Sequence, residues 1–236
     1  RIYLDYPTHT GTENIMMASC LAQGTTIISN ACAEPEVIWL GEMLNRMGAR
    51  IAGLGTPTIV IEGVGKLHGT SMMCIPDRLE AGTFAIASVI TGGEVTLDGV
   101  IEPHMLPVTE KLRQIGAEIW FDHNRMLAKP ARELKPVKIQ TLPFPGFPTD
   151  QQATLMPLLT QAIGTSELQE RVYENRLLYV RELVKMGAAI DTPREDAKGN
   201  PRFPTAIVHG PSRLHGAAVM ALDIRAGVSL VLAGLV

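Results

Sequence analysis

Three segments of the chain share one pattern: residues 44–51 read LNRMGARI, residues 112–119 read LRQIGAEI, and residues 183–190 read LVKMGAAI. In each copy an apolar run at helical spacing ends at a glycine, which is typical of a helix that stops on a left-handed residue. The Ala-x-Ile that follows predicts entry into a strand. The glycines lie 68 and then 71 residues apart, so the sequence predicts an internal repeat.

A second element repeats at a constant interval of 73 residues, at Asp77, Asp150 and Asp223. Each aspartate opens a run of small and apolar residues, and aspartate is a common cap of the free N–H groups at a helix start. A fourth copy is predicted to begin at residues 12–16, TENIM. The sequence therefore predicts four helices of one kind, each with its first residue as the cap.

Strand signals complete the repeat. In the first copy residues 58–62 (TIVIE) and 71–75 (SMMCI) both read as strands before the next capped helix. One unit then reads βαβαββ over about 70 residues, which predicts an α/β (α+β) fold. Residues 191–204 fall outside the period and predict an exposed loop insertion. Both chain ends fall inside a unit, so the period predicts a portion of a longer protein.

The composition narrows the class of protein. A net charge of -3 lacks the basic excess that nucleic-acid binders usually carry. No apolar run approaches the ~20 residues of a membrane-spanning helix. Cys20, Cys32 and Cys74 form no CxxC pair, which disfavours a zinc site and predicts reduced thiols in a cytoplasmic protein.

Arginines beside the predicted helix starts suggest anion sites. Arg78 follows Asp77 directly, and Arg225 follows Asp223 by two residues. Exposed N–H groups and a guanidinium both favour phosphate or carboxylate. The alternative is that the aspartates are plain caps and that the arginines pair with local carboxylates. The sequence leaves both interpretations open.

Two further segments carry candidate chemistry. Residues 143–149 (PFPGFPT) are rigid and could hold Asp150 where burial tunes it as a general base. The alternative is a proline-rich linker into a helix. Residues 174–176 (ENR) lie at a helix start where the first repeat has 34–36 (EPE). The alternative is that the glutamates of these segments interact only with the helix dipole and that Arg176 is a surface charge.

Six segments, in this order, resemble the UDP-N-acetylglucosamine 1-carboxyvinyltransferases, a family of enolpyruvyl transferases: residues 12–18 (TENIMMA), 24–36 (GTTIISNACAEPE), 76–83 (PDRLEAGT), 145–151 (PGFPTDQ), 173–176 (YENR) and 219–225 (VMALDIR). The resemblance implies two inside-out α/β barrel domains of three βαβαββ units each. Residues 1–75 would be the remaining part of the first domain, and residues 76–236 most of the second.

The resemblance also implies an activity. The enolpyruvyl group of phosphoenolpyruvate would move to the 3-hydroxyl of UDP-N-acetylglucosamine, with release of phosphate and without metal or cofactor. This is the first committed step of peptidoglycan synthesis, a cytoplasmic reaction on which cell wall, cell shape and cell division depend. The implied partners are these two small molecules, and no nucleic acid or membrane.

The resemblance assigns roles to individual residues. Asp150 matches the favoured general base. The other matches near the reacting centre are Arg176, Asp223 and Arg225. The implied substrate-binding residues are Thr8, His9, Thr10, Glu34, Glu36, Arg78, Asp150, Val172 and Tyr173. His9 departs from the family pattern, which more often has Ser-Val-Gly at residues 8–10.

The family's cysteine loop, its amino-terminal Lys-Asn pair and a later arginine have no counterpart in this chain. We therefore expect missing segments to complete the active site, and this portion alone to be inactive. Two alternatives stay open. One is a catalytically silent paralogue or scaffold of the same fold, and the other is an enzyme like 5-enolpyruvylshikimate-3-phosphate synthase.

Overall fold

The computed structural model describes residues 1–130, 132–196, 198–200 and 203–236. They form two compact units: unit 1 comprises residues 1–75 and 143–145, and unit 2 comprises residues 76–142 and 146–236. Each unit has a hydrophobic core of its own. None of the helices in the described ranges combines the length and apolar character that crossing a bilayer requires.

Unit 1 contains four strands and two helices. In chain order they are β1 (Ile2–Tyr3), α1 (His9–Ser19), β2 (Thr25–Ser29), α2 (Pro35–Arg46), β3 (Arg50–Ala52) and β4 (Thr58–Glu62). The sheet has the order β1-β2-β4-β3, with β1 parallel to β2 and the other pairs antiparallel. Met16 of α1, Val37 of α2 and Ile59 of β4 are fully buried in its core.

Unit 2 contains the remaining elements. In chain order they are α3 (Arg78–Thr91), β5 (Val95–Asp98), α4 (Glu102–Ile115), β6 (Glu118–Asp122), β7 (Arg125–Lys129), β8 (Lys138–Gln140), α5 (Thr149–Gln161), β9 (Gly164–Gln169), α6 (Val180–Lys185), β10 (Ile190–Asp191), β11 (Thr205–Gly210) and α7 (Ile224–Ala233). Helix α5 packs against both α3 and α7. Every residue from 151 to 160 of α5 is buried, as expected of a helix surrounded by other elements.

The sheets confirm the predicted repeat. The sheet β8-β9-β11-β10 has the same order as the unit 1 sheet β1-β2-β4-β3. Its first two strands, β8 and β9, are parallel, as β1 and β2 are. The third sheet, β5-β7-β6, has the same order without a first strand. The α/β class and the βαβαββ unit are therefore confirmed. The barrel is not observed, because a sheet of three or four strands keeps two edges, and none in the described chain closes on itself.

The predicted strand at residues 71–75 is wrong. These residues have no regular structure, and they pair with no strand in the described part of the chain. Met73 is 89% exposed. A short apolar run forms a strand only where a neighbouring strand satisfies its backbone and covers its side chains, and here neither condition is met.

The glycine stops are confirmed. Gly48, Gly116 and Gly187 have φ values of +98°, +115° and +97° at the ends of α2, α4 and α6. Strands β3, β6 and β10 follow within a few residues, as the Ala-x-Ile pattern predicts. The loop at 191–204 is largely exposed where it is described, whereas residues 197, 201 and 202 of that prediction lie outside the described residues.

Two of the four predicted caps are confirmed. Asp77 accepts from the N–H groups of Leu79 and Glu80, and Asp223 accepts from that of Ala226. The cap predicted at Asp150 is wrong, because α5 already begins at Thr149. The helix start predicted at residues 12–16 is also wrong. Helix α1 begins at His9, since the Thr8 hydroxyl accepts from Gly11 N–H and caps the helix one turn earlier.

Candidate functional site

Asp150 lies in the first turn of α5. Pro148 occupies the capping position with extended backbone and offers no side-chain acceptor. Because Asp150 lies inside the first turn and not at the cap position, its carboxylate accepts from arginine side chains. The side chain is 30% exposed. The positive end of α5 favours a negative charge at this point.

Two arginines from distant parts of the sequence bind this carboxylate. Arg176 Nη1 donates to Asp150 Oδ1 at 3.0 Å, and Arg225 Nε donates to the same oxygen. Arg176 lies 26 residues and Arg225 lies 75 residues along the chain from Asp150. The cluster carries two positive charges and one negative charge. Its excess of guanidinium donors suits a phosphate or carboxylate ligand.

Arg176 is held on several sides. Its guanidinium carbon lies 4.9 Å from the centre of the Tyr173 ring, a cation–π contact. Gln152 Nε2 donates to its carbonyl at 3.3 Å, and Tyr179 Oη donates to Gln152 Oε1 at 2.9 Å. The Nε atom of Arg176 is buried and has no hydrogen-bond partner in the described chain. One guanidinium donor is therefore left over beside Asp150.

The pKa of the Tyr179 phenol depends on its burial and on the charges around it. Burial raises its pKa well above the usual value, and the charges of Glu170 and Asp223 raise it further, while Arg176 opposes them. Tyr179 is therefore a neutral hydrogen-bond donor across the physiological range. It holds Gln152, and through Gln152 the backbone of Arg176.

Asp223 does not join the Asp150 cluster directly but caps the helix that carries Arg225. Its carboxylate accepts from Ala226 N–H at 2.8 Å. The segment before it is held by Glu182, which accepts from Met220 N–H at 3.0 Å and from Lys185 Nζ at 2.8 Å. These donors lower the pKa of the Glu182 carboxyl, chiefly through Lys185. Arg225, however, bonds to Asp150, so the expectation of purely local pairing fails for this arginine.

Arg78 is a buried residue at the start of α3, directly after the cap Asp77. Gln151, which follows Asp150, donates from Nε2 to Leu79 O. The starts of α3 and α5 are therefore adjacent. Gly82 makes this possible, because a Cβ there would meet the Gln151 amide at 2.9–3.1 Å. The structure thus brings Arg78 and Asp150 onto two neighbouring helix ends.

Val172 and Tyr173 lie in the turn between β9 and α6. Their backbone N–H groups both donate to Glu170, a carboxylate with 1% exposure that our sequence analysis missed. The signal for Glu170 was present in the period of two along β9. Ser166 and Leu168 are fully buried, and Glu170 continues the same alternation.

In unit 1 the candidates Thr8, His9 and Thr10 form the start of α1. Besides the cap at Thr8, His9 Nε2 lies 3.2 Å from Glu13 Oε1, one turn along the helix. The N-terminal N–H groups of a helix favour an anion. The departure at His9 places an imidazole beside the Glu13 carboxylate at this helix start.

Glu34 and Glu36 lie at the start of α2. Glu34 precedes the helix, and its Oε1 accepts from Phe144 N–H at 3.2 Å within unit 1. Glu36 lines a cavity of about 330 Å³ in the same unit. The other residues of that cavity are Glu13, Trp39, Leu40, Cys74 and Ile75.

The candidates thus fall into two sets. Unit 1 holds Thr8, His9, Thr10, Glu34 and Glu36, and unit 2 holds Arg78, Asp150, Val172, Tyr173, Arg176, Asp223 and Arg225. Within the second set, direct contact joins Asp150 to Arg176 and Arg225, and Arg176 to Tyr173. Across the described residues, no group of three His, Cys, Asp or Glu side chains could hold a metal ion.

Named proteins are similar in sequence to this chain over its full length. It is 48% identical to a UDP-N-acetylglucosamine 1-carboxyvinyltransferase of Finegoldia magna, over 100% of this chain and 54% of that protein. A protein of the same name from Magnetococcus marinus is 49% identical, over 99% of this chain and 54% of its own length. The predicted resemblance is therefore confirmed. The chain spans about half the length of the curated relatives it matches.

Solved structures share the fold. The enolpyruvyl transferase NikO from Streptomyces tendae matches with a TM-score of 0.83 at 25% identity, over 96% of this chain and 52% of NikO. An EPSP synthase from Acinetobacter baumannii matches with a TM-score of 0.66 at 23% identity, over 100% of this chain and 55% of that one. A family comparison matches residues 1–236 in full. The chain therefore belongs to the EPSP synthase (3-phosphoshikimate 1-carboxyvinyltransferase) family.

Proposed function

We propose that the full-length protein transfers the enolpyruvyl group of phosphoenolpyruvate to the 3-hydroxyl of UDP-N-acetylglucosamine. The observation that carries the proposal is the Asp150–Arg176–Arg225 cluster, in a chain that is 44–49% identical to proteins of that name. The reaction needs a base that removes a proton from the sugar hydroxyl, and a carboxylate can do this. It also needs cationic donors for the phosphate and carboxylate groups of phosphoenolpyruvate, and two guanidiniums supply them.

The cluster suggests how binding and proton removal are linked. The carboxylate and phosphate groups of phosphoenolpyruvate compete with Asp150 for the donors of Arg176 and Arg225. When the arginines turn to the substrate, Asp150 Oδ1 becomes available to the sugar 3-hydroxyl. Asp150 then accepts that proton as the hydroxyl oxygen bonds to C2 of phosphoenolpyruvate, while C3 takes a proton from a general acid that the segments outside this chain would supply. A proton then leaves C3 and restores the double bond as the bond from C2 to the phosphate oxygen breaks. The arginines stabilise the charge on the phosphate that leaves from the tetrahedral intermediate.

The remaining candidates fit contacts to the sugar nucleotide. Residues Thr8, His9 and Thr10 at the start of α1 would hold the diphosphate, as helix N-termini do for anions. Val172 and Tyr173 would meet the sugar nucleotide through backbone and ring. Glu34 and Glu36 in unit 1 and Arg78 in unit 2 would each be substrate-binding residues, and Asp223 would hold the helix start that carries Arg225.

The rest of the protein is part of the proposal. Residues 1–75 would be the remaining part of a first enolpyruvyl transferase domain, and residues 76–236 most of a second. Segments outside this chain would supply the reactive cysteine loop, a Lys-Asn pair and a further arginine, so this portion alone would be inactive. The reaction would take place in the cytoplasm and begin peptidoglycan synthesis, on which cell wall, cell shape and cell division depend.

The test is turnover by the full-length protein with both substrates. We expect release of inorganic phosphate and a product with the mass of enolpyruvyl-UDP-N-acetylglucosamine. Turnover with shikimate 3-phosphate instead would replace the proposal by the shikimate enzyme. No product with either acceptor would indicate a silent paralogue or scaffold. The names of the curated relatives favour the UDP-sugar reaction over both alternatives.

A further inference from the structure

Glu170 is a buried carboxylate that the proposed reaction does not use directly. It follows β9 by one residue, and the alternation along that strand directs it toward the same face as Ser166 and Leu168. Its residue exposure is 1%. A buried carboxylate is unfavourable unless hydrogen bonds satisfy it, so its donors show what it holds.

Four donors from three chain segments converge on this one side chain. Its Oε1 atom accepts from Thr141 Oγ1 at 2.6 Å. The same oxygen accepts from the backbone N–H groups of Val172 at 2.8 Å and Tyr173 at 3.0 Å. Its Oε2 atom accepts from Thr149 Oγ1 at 2.8 Å. Both carboxylate oxygens are therefore engaged.

Two of these three segments present Asp150 and Arg176. Thr149 is the first residue of α5 and directly precedes Asp150. Tyr173 O accepts from Arg176 N–H at 3.2 Å, and the Tyr173 ring contacts the Arg176 guanidinium. Glu170 thus bonds to the residue before Asp150 through that residue's hydroxyl and to the turn before Arg176 through two backbone N–H groups.

We infer that Glu170 is a positioning residue that sets the distance between Asp150 and Arg176. It acts through the Thr149 hydroxyl on one side and the Val172 and Tyr173 amides on the other. The inference rests on the proposed function, because it gives Glu170 a role in that reaction. A displacement of about 1 Å at reacting groups can cost on the order of 100-fold in rate.

Two variants of Glu170 separate geometry from charge. Glu170→Gln keeps a carbonyl oxygen for the three Oε1 bonds, and its amide can donate to Thr149 Oγ1 in place of Oε2. Glu170→Ala removes all four bonds. The matched control is Ser88→Ala in α3, which removes a buried hydroxyl that donates to Gly93 O and Ala128 O at 2.7 and 3.0 Å.

The kinetic test uses the full-length protein and both substrates. We expect Glu170→Ala to lower kcat by about 100-fold, and Glu170→Gln by less than about tenfold. Ser88→Ala should lower thermal stability while kcat stays unchanged. Equal effects of Glu170→Ala and Ser88→Ala on kcat would overturn the inference. So would a Gln variant as slow as the Ala variant, since charge rather than geometry would then be responsible.

A structural measurement keeps the test independent of turnover. In a crystal structure of the Glu170→Ala variant of the full-length protein, the Arg176 Nη1–Asp150 Oδ1 distance should exceed ~4 Å, the limit for an ion pair. An unchanged distance of 3.0 Å would refute the positioning role. If the wild-type protein gives no enolpyruvyl product, the proposed function fails, while this distance still decides the role of Glu170.

Discussion

Helices α3 and α5 begin at equivalent places in the repeat, yet Asp77 and Asp150 at these two starts make different contacts. Asp77 has extended backbone, lies outside α3 and bonds the first N–H groups of the helix. Asp150, 73 residues later, lies inside α5, and its carboxylate bonds two arginines instead. A shift of the helix start by two residues relative to the aspartate thus separates a cap from a carboxylate that is available for chemistry.

The two helices also differ in their surroundings. Residues 151–160 of α5 are all buried between its neighbours, whereas α3 keeps an exposed face with Phe84 at 49% exposure. The helix that presents Asp150 is therefore the more constrained of the two. Rigid support of this kind is what a group in precise catalysis needs.

The largest expected effect comes from replacing each aspartate by asparagine in the full-length protein. Asparagine caps helices about as well as aspartate does, but it cannot accept a proton as a base. We expect Asp150→Asn to lower kcat by roughly 10²–10⁴. Asp77→Asn should change kcat by less than about threefold, because a helix cap acts on stability.

Steady-state phosphate release measures both variants, with circular dichroism as the control for folding. A loss smaller than tenfold for Asp150→Asn would argue against its role as the base. A comparable loss for Asp77→Asn would remove the contrast between the two helix starts.

A second test compares the surroundings of the two helices. Met156 of α5 is fully buried, and its replacement by alanine should lower the free energy of unfolding by about 2–5 kcal/mol. Phe84→Ala in α3 should cost only about 0.5 kcal/mol. Urea unfolding of the full-length protein gives both values. If the Phe84 variant is as unstable as the Met156 variant, the exposed face of α3 is covered in the complete protein.

A third, smaller effect isolates the cap itself. Asp77→Ala should lower the free energy of unfolding by about 1 kcal/mol, because the N–H groups of Leu79 and Glu80 lose their acceptor. Asp77→Asn should restore all but a few tenths of a kcal/mol. Thermal unfolding of the three proteins under one condition measures the series. Equal stability of the Ala and Asn variants would show that the cap contributes nothing.

The smallest effect concerns pH and the start of α7. Because Lys185 and Met220 N–H lower the pKa of Glu182 in the folded state, its contribution to stability is complete above the unfolded pKa of about 4.3. That contribution is lost as the pH falls through the lower, folded pKa. The difference in urea midpoint between wild type and Glu182→Gln should therefore shrink below about pH 4. A constant difference from pH 3 to pH 7 would contradict the shift.

Much of the fold could be predicted from local chemistry. The left-handed residues Gly48, Gly116 and Gly187 mark helix ends because only glycine adopts that conformation without strain. The repeat period revealed the βαβαββ unit, since its signals lie within short windows of sequence. The strand predicted at residues 71–75 could not be tested in this way, because a strand depends on a partner strand that can lie anywhere in the chain.

The sequence by itself determined the repeat, the helix stops and the candidate residues Asp150, Arg176 and Arg225. Only the tertiary structure decided that both arginines share one oxygen of Asp150, and that Glu170 holds the two sides of that site. The physical reason is the distance along the chain between the groups that interact. Caps and turns are settled by neighbours in the chain, whereas ion pairs across 26 and 75 residues exist only after α5, α7 and the β9–α6 turn have packed together.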